Sequence, residues 1–431
     1  MKKYLKIIIL ILGIMIYTTV YGEKTNNIKA NDYGLKNYSI AYFENEKITY
    51  QNYGPRIDEN SVFELGSNGK VISAYVALKL VDEGKIGLED QIAPFLDNDL
   101  LTKDKRLKTI TLKQLLSHTA GFSPSYELGI DKRIYSNPGE KFRYSGVGYI
   151  YLQNVIENIS GMTMEQAAKY YVFDPLGMSN TTFEYTKTVT PYINLSSIVL
   201  YTFAFFIISS ILFSLITLII GKITKFKYYN LKSGIVVCYV IAGIINTICL
   251  LFILSKVVFI FFIYFIFIGI ILLFAKNNNK VFYSCIPLTI IIILILGFTI
   301  HCSIPVTNDL IPKKANCAYS LKSTSKDMAI FCKELMQQYN SNKGSIKDMF
   351  SVVANIDDNN SWGLGIAIES EQYGETYWHS GINPGFQSLL VLYPSHNKYI
   401  IVVTNSDNGL NFSKDIARSF LGVDGSWDIP R

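Results

Sequence analysis

Apolar and polar positions alternate over residues 37–44 and again over 47–53, with Glu44-Asn45-Glu46 between the two runs. A period of two marks a half-buried strand, and the polar interruption predicts a β-hairpin. Residues 71–81 are apolar almost all round, the pattern of a helix buried inside a domain, with Gly84 placed as its stop. Thr111-Leu-Lys-Gln114 is a capping-box pattern opening another helix, which Gly121 would close, and Thr324-Ser-Lys-Asp327 opens one running through Met336. Towards the end, residues 389–392 and 399–403 predict paired strands, followed by a last helix over 411–420. Strands at both ends with helices between them predict an α+β fold, an antiparallel sheet flanked by helices.

A different pattern interrupts this one. Four apolar spans, at about 197–220, 235–254, 257–274 and 281–300, are almost free of charge, and each is long enough to cross a hydrocarbon layer of about 30 Å. Lys222, Lys225, Lys227 and Lys232 lie between the first two spans, and Lys276 and Lys280 between the last two, whereas Lys256 stands alone between the middle pair. The positive-inside rule then puts the first and third connections in the cytoplasm. Residues 1–22 carry Lys2, Lys3 and Lys6 ahead of an apolar run and end in Gly22. They read as a secretory signal peptide or, uncut, a signal anchor. The expected organisation is therefore a leader at 1–22, a first exported part at 23–192, a bundle of four transmembrane helices within 193–302, and a second exported part at 303–431. The even number of crossings matters, because it leaves the two exported parts on one side, where they can share a site.

Composition changes this picture little. A hydrophobic fraction of 49% in 431 residues is high, but the excess sits in the four spans. The net charge of +6 comes largely from lysines beside apolar segments, and no basic stripe with interleaved aromatics is present, so nucleic acid is not an expected partner. No Cys-x-x-Cys occurs among the six cysteines, and the four histidines are scattered, so no metal site is expected. Cys302 and Cys317 fall on the same expected side, where a disulfide and two free thiols are both open.

The chemistry begins at Ser67 and Lys70. On a helix, residues three apart share a face, so the amine can reach the hydroxyl. A serine hydroxyl becomes a good nucleophile only when a neighbouring base takes its proton, and a lysine can be that base once burial lowers its pKa. The same spacing recurs at Ser323/Lys326 and Ser395/Lys398. The first of these surrounds a helix cap and reads as solvent-facing, and the second sits in a polar turn. Only Ser67 follows an apolar stretch ending in glycine and opens a buried helix. The structural alternative for Ser67 is a plain helix cap.

Around that pair the resemblance becomes specific. Phe63-Glu-Leu-Gly-Ser-Asn-Gly-Lys70, followed by Leu80-Val-Asp-Glu-Gly-Lys-Ile-Gly-Leu88, resembles the first motif of the serine β-lactamase-related family. That family includes class C β-lactamases, penicillin-binding proteins of the D-Ala-D-Ala carboxypeptidase type, related esterases and D-amino-acid peptidases. Ile110-Thr-Leu-Lys-Gln-Leu-Leu-Ser-His-Thr-Ala-Gly-Phe122, Pro138-Gly-Glu-Lys-Phe-Arg-Tyr-Ser-Gly146, Pro175-Leu-Gly-Met-Ser-Asn-Thr181, Ser323-Thr-Ser-Lys-Asp-Met328 and Trp378-His-Ser-Gly-Ile-Asn-Pro-Gly-Phe386 follow in the family's order.

The resemblance implies Tyr144 as the second member of the catalytic base, and a phenol near Lys70 could relay the Ser67 proton if the charge of the lysine lowers its pKa. It implies a cleft-lining edge strand with His379, Ser380 and Gly381, where many relatives carry Lys-Thr-Gly, and an oxyanion hole from the Ser67 and Ile382 backbone N–H groups. Gly146 departs from the Tyr-x-Asn of many relatives and puts efficient β-lactam hydrolysis in doubt. His118 is expected to be a buried hydrogen-bonding residue, and Gly177 and Asp327 to serve a turn and a cap. The function so implied is acyl transfer through a covalent intermediate at Ser67, without metal or organic cofactor. Its substrate would be peptide-like, an ester or a β-lactam, and the lipid bilayer would be the other partner; oligomeric state stays open. Rival expectations are a β-lactam or muropeptide sensor acylated at Ser67, and a catalytically inactive membrane scaffold.

Overall fold

The structure is a computed structural model, and residues 28–124, 131–194, 303–305, 314–341 and 343–429 are described. The expected leader and the four apolar spans lie outside the described residues. Among the described residues no helix is long and apolar enough to cross a membrane.

The hairpin forms as the alternation predicts: β1 (Tyr38–Glu44) and β2 (Lys47–Tyr53) pair antiparallel from Glu44↔Lys47 onward. Asn45 and Glu46 both take positive φ, at 53° and 61°, the backbone that a two-residue hairpin turn requires. Near the other end of the chain, β10 (Gly374–Asn383), β11 (Phe386–Tyr393) and β12 (Lys398–Thr404) form a meander. Strand β12 pairs antiparallel with β1. With β7 (Ala354–Asn355), β8 (Asn360–Trp362) and β9 (Ala367–Glu371) this gives one eight-stranded sheet, in the order β2-β1-β12-β11-β10-β9-β8-β7.

Both faces of the central strands are buried, which is why 389–392 and 399–403 read as unbroken apolar runs rather than as alternation. Leu390, Leu392, Ile401 and Val403 enter a core shared with the helices α1 (Gly69–Asp82), α3 (Gly146–Ser160) and α5 (Ser325–Tyr339). Leu389, Val391, Ile400 and Val402 enter a second core under α6 (Gly409–Leu421), filled by Phe412, Ala417 and Leu421. At about 1.5–3 kcal/mol for each fully buried large aliphatic side chain, these two layers hold the sheet between its helices.

Three strand pairings tie the parts before and after the apolar spans into one body. Strand β3 (Phe63–Gly66) pairs with β6 (Leu321–Ser323), and β1 pairs with β12. The third, β4 (Tyr192–Asn194) with β5 (Ser303–Pro305), sets the two ends of the 195–302 segment side by side, from Tyr192↔Pro305 to Asn194↔Ser303.

Several local expectations are corrected. The Thr111 capping box forms, with both reciprocal bonds to Gln114, but its helix α2 (Leu112–Leu116) ends well before Gly121. It stops because His118 enters the left-handed region, at φ 57°. The Ser325–Tyr339 helix runs three residues past Met336. Ser323 is fully buried rather than solvent-facing, sharing a 2.7 Å bond with Thr181 Oγ1. Asp327 does not cap its own helix; Thr324 does, and the Asp327 carboxylate accepts from Asn180 N and Thr181 Oγ1, pinning the turn after Gly177. Cys317 is a buried free thiol that donates to the Tyr149 carbonyl at 2.8 Å, and Cys302 lies outside the described residues.

Candidate active site

Strand β3 ends at Gly66, in the left-handed region at φ 51°, and Ser67-Asn68 turn the chain directly into α1. Because α1 is apolar on nearly every face, Lys70 is carried into the core and is only 2% exposed. Its Nζ donates to Ser67 Oγ at 3.0 Å and to the Ala318 carbonyl at 2.5 Å. It also lies 5.1 Å from the centre of the Tyr144 ring and 5.6 Å from that of Tyr149. No carboxylate pairs with it among the described residues. Burial therefore pulls the amine from 10.5 to about 7, the direction expected of a desolvated cation. Near neutral pH a large fraction is free amine, beside the hydroxyl it would deprotonate.

Tyr144 is set by the residues on either side of it. The Arg143 N–H donates to the His118 carbonyl at 2.8 Å, and the Ser145 N–H to His118 Nδ1 at 3.1 Å. Ser145 then caps α3 by accepting from Gly148 N at 2.9 Å. One left-handed histidine thus grips the backbone on both sides of Tyr144, and the two rings lie 4.4 Å apart. His118 must be neutral to accept at Nδ1, and burial together with the charge of Lys70 holds its pKa well below the usual value. The expected role of His118 is borne out.

The electrostatics expected of Tyr144 are not. Burial is the main influence on its hydroxyl and raises the pKa, opposed only by the adjacent Ser67 side chain. Among the described residues the hydroxyl makes no hydrogen bond of good geometry, to Ser67 or to any other group. Tyr144 is accordingly a neutral phenol at physiological pH, and of the two groups Lys70 is the one that can take a proton.

The opposite wall comes from β10. This strand is internal to the sheet, but its pairing with β9 ends at Trp378↔Ala367 while pairing with β11 continues to Asn383↔Phe386. Residues 379–383 are thus a local edge facing β3. The two approach closely because neither Gly66 nor Gly381 has a side chain. A Cβ at Gly381 would lie 1.8 Å from the Leu65 carbonyl, and one at Gly66 would lie 2.8 Å from the Ile382 nitrogen. Gly66, the residue before Ser67, is thereby brought against the backbone of Ile382.

Ser380 and Ile382 line the cleft. His379 does not: it is fully buried, its Nδ1 2.8 Å from the Ser380 carbonyl. That bond places the proton on Nδ1 and leaves Nε2 as a buried acceptor without a partner among the described residues. Burial and the charge of Lys70 hold its pKa down at about 3. Alternation along the strand explains the difference, since His379 and Ser380 point to opposite faces. His379 packs behind the site, its ring 6.1 Å from that of Tyr144.

Between the walls lies a cleft of about 730 Å3 that Ser67 and Tyr144 line together. The beta-lactamase family profile matches residues 25–192 and 303–421, most of the chain and every residue just described as far as Ile382. The chain belongs to the beta-lactamase family. Among curated members, protein flp of Staphylococcus aureus (strain MW2) is 27% identical over 165 residues, 34% of this chain and 33% of its own length. Penicillin-binding protein 4 of Amycolatopsis lactamdurans is 26% identical over 146 residues, 30% of this chain and 38% of its own length. The chain therefore spans about a third of the length of the curated relatives it matches. Among solved structures, a penicillin-binding protein from Bacillus halodurans superposes with a TM-score of 0.58 at 16% identity, covering 91% of this chain and 97% of that one. A class C beta-lactamase does so with a TM-score of 0.59 at 13% identity, covering 93% and 94%. At these identities the likeness is one of fold.

Within this beta-lactamase fold, several cleft residues had no signal in the sequence. Arg143 and Lys141 line the cleft on the Tyr144 side, and Asn355 and Ile356 come from β7 and the turn after it. Asp428 and Ile429 also line it. They are delivered by a tail that the buried Glu369 clamps, accepting from the backbone N–H groups of Ser426 and Trp427 at 2.6 and 2.9 Å. Gly146, where many relatives carry asparagine, is the first residue of α3 and brings no side chain into the cleft.

Proposed function

We propose that this chain is a membrane-bound serine acyl-transfer enzyme, a penicillin-binding or β-lactamase-like hydrolase with Ser67 as nucleophile. The observation that carries this reading is the Lys70 amine: buried, without a counter-ion among the described residues, brought to about 7 and 3.0 Å from Ser67 Oγ. Lys70 takes the Ser67 proton as Oγ attacks a substrate carbonyl. Tyr144, a neutral phenol beside Ser67, offers a hydrogen bond as charge moves between the two and can pass the proton on to the leaving group. The Ser67 and Ile382 N–H groups receive the oxyanion. The substrate backbone lies along the β10 edge beside Ser380 and Ile382, while Gly381, on the same face as His379, seats that edge against β3 instead of meeting substrate, and His379 supports Tyr144 from behind. Water or another acceptor then releases the acyl group from Ser67. Nothing in this sequence of steps calls for a metal or an organic cofactor.

Candidate substrates are peptide-like amides such as cell-wall stem peptides, β-lactams and esters. The absence of an amide side chain at Gly146 favours the first and third over efficient β-lactam turnover, and is compatible with a slowly acylated sensor of β-lactams or muropeptides. The four apolar spans within 193–302 are read as a transmembrane bundle. This makes the chain a multi-pass plasma-membrane protein with its catalytic domain on the extracytoplasmic side. The adjacency of residues 194 and 303 in the β4–β5 pair supports an inserted unit that leaves and re-enters the domain at one place.

Labelling intact cells with a membrane-impermeant fluorophosphonate tests both parts. Ser67-dependent labelling, lost in Ser67→Ala, is the expected result. Labelling only after lysis would overturn the topology. No labelling of well-expressed protein would leave the inactive scaffold.

A further inference from the structure

The cleft is apolar along much of its lining, with Pro124, Phe142, Ile356, Leu410 and Ile429. Its β10 wall is electrically neutral, presenting Ser380 and Ile382 while His379 is buried and uncharged. The fixed positive charge stands on the other wall, at Lys141 and Arg143. Neither forms an ion pair among the described residues. The Arg143 guanidinium stacks 4.8 Å over the Tyr135 ring, and its Nε is buried without a hydrogen-bond partner. The backbone beneath it is tied to His118 through the 2.8 Å bond from Arg143 N.

Among the described residues, the nearby carboxylates are already engaged. Asp131 is held by Arg133 at 2.9 Å and by the Tyr135 hydroxyl at 2.6 Å. Glu140 accepts from the Asn137 N–H at 3.1 Å. Asp428, the one acid lining the cleft among the described residues, pairs with Lys414 at 2.5 Å. A stacked guanidinium with an unused donor has lost its conformational freedom without gaining a partner, and its planar fork matches a carboxylate in two parallel bonds.

We propose that Arg143, with Lys141 beside it, anchors a carboxylate of the substrate, so that the cleft selects acyl substrates combining an apolar body with an anion directed to the Tyr144 side. The inference deepens the acyl-transfer reading, and its test is built to fail separately. Binding of N-benzoyl-D-alanine and of its carboxamide to the Ser67→Ala protein would be measured by calorimetry, which needs no chemistry at Ser67. The acid should bind about 10- to 100-fold more tightly than the amide, the range of a charge-assisted hydrogen-bonded pair. Arg143→Gln should abolish that preference, Arg143→Lys should keep part of it, and added salt should shrink it. Equal binding of acid and amide, saturable binding of neither, or an Arg143→Gln variant that weakens both alike would overturn the proposal. The last of these is what a residue that merely props Tyr144 would give. Fluorophosphonate labelling of the wild type reads the catalytic function independently.

Discussion

Lys70→Met should stabilise the protein at neutral pH while abolishing acylation, and the stability difference should reverse sign as pH rises. The amine is held at about 7 in the folded protein against an ordinary 10.5. Below the folded value both states carry the charge, and burial costs the fold the full difference of roughly 3.5 pKa units, about 4–5 kcal/mol. Between about 7 and 10.5 the unfolded chain binds the extra proton, so wild-type stability climbs with pH, by up to about 1.4 kcal/mol per unit. Above 10.5 both states are neutral and the penalty is gone. Methionine has a similar length and no charge to bury. It leaves the Ala318 carbonyl without its donor, at a cost of about 1–3 kcal/mol. The variant should therefore be more stable by about 1–3 kcal/mol at pH 7, and less stable by a similar amount near pH 10.5. The assay is thermal unfolding of detergent-solubilised wild type and variant across this range, in which groups common to both cancel. A difference that stays flat with pH, or a destabilised variant at pH 7, would refute the claim that Lys70 is a desolvated amine.

The same group should govern rate: phosphonylation of Ser67 should rise with an apparent pKa near 7, falling about tenfold per pH unit below it, with no second inflection from His379, which is already neutral above about 3; a limb at 10 would exclude Lys70 as base. Gly66→Ala puts a Cβ 2.8 Å from the Ile382 nitrogen and should slow labelling by about 100-fold or more, the worth of one oxyanion donor, measured as the second-order rate with a fluorophosphonate. His118→Ala strips the acceptor from Ser145 N–H and should cost about 2–4 kcal/mol in thermal unfolding. That loss should be full above about pH 7 and shrink as the pH falls towards 5, because the unfolded chain then protonates this histidine near its ordinary value of about 6.5 while the folded one stays neutral. Glu369→Ala orphans the Ser426 and Trp427 N–H groups and should release residues 424–429 from the cleft, seen as faster hydrogen exchange at those two amides with the sheet unaffected.

The fold was legible where one interaction range sufficed. The 37–53 hairpin, the Thr111 and Thr324 caps and the 389–403 strand pair are set by neighbours within a few residues, and all appear as expected. The misreadings share a cause in tertiary override. His118 takes a left-handed backbone that its sequence neighbours do not demand, because in that position it can satisfy both Arg143 and Ser145, twenty-five and more residues away. Ser323 looked exposed beside a polar cap, yet the buried Thr181 hydroxyl claims it. Asp327 looked like a cap of its own helix, but its carboxylate is taken by the turn before the apolar spans.

The site shows the same division more sharply. The Ser67–Lys70 spacing gives their contact through the pitch of one helix turn. What makes the lysine a base, however, is burial with no acid beside it among the described residues, and the Ala318 carbonyl that holds the amine at 2.5 Å lies beyond the apolar spans and leaves no mark in the sequence. A serine and a lysine three apart occur three times in this chain, and only at Ser67 does the surrounding helix bury the amine. Tyr144 illustrates the converse. Its position could be expected from the motif, but its charge state could not. The expectation that Lys70 would acidify it assumed a charged lysine in a medium that tolerates charge. The interior that lowers the lysine is the same one that raises the phenol, so desolvation acts on both and leaves a pair that meets as neutral amine and neutral phenol. In the proposed acyl transfer, proton transfer from Ser67 would then create charge only as the substrate carbonyl develops its own, opposite the Ser67 and Ile382 N–H groups proposed to receive it.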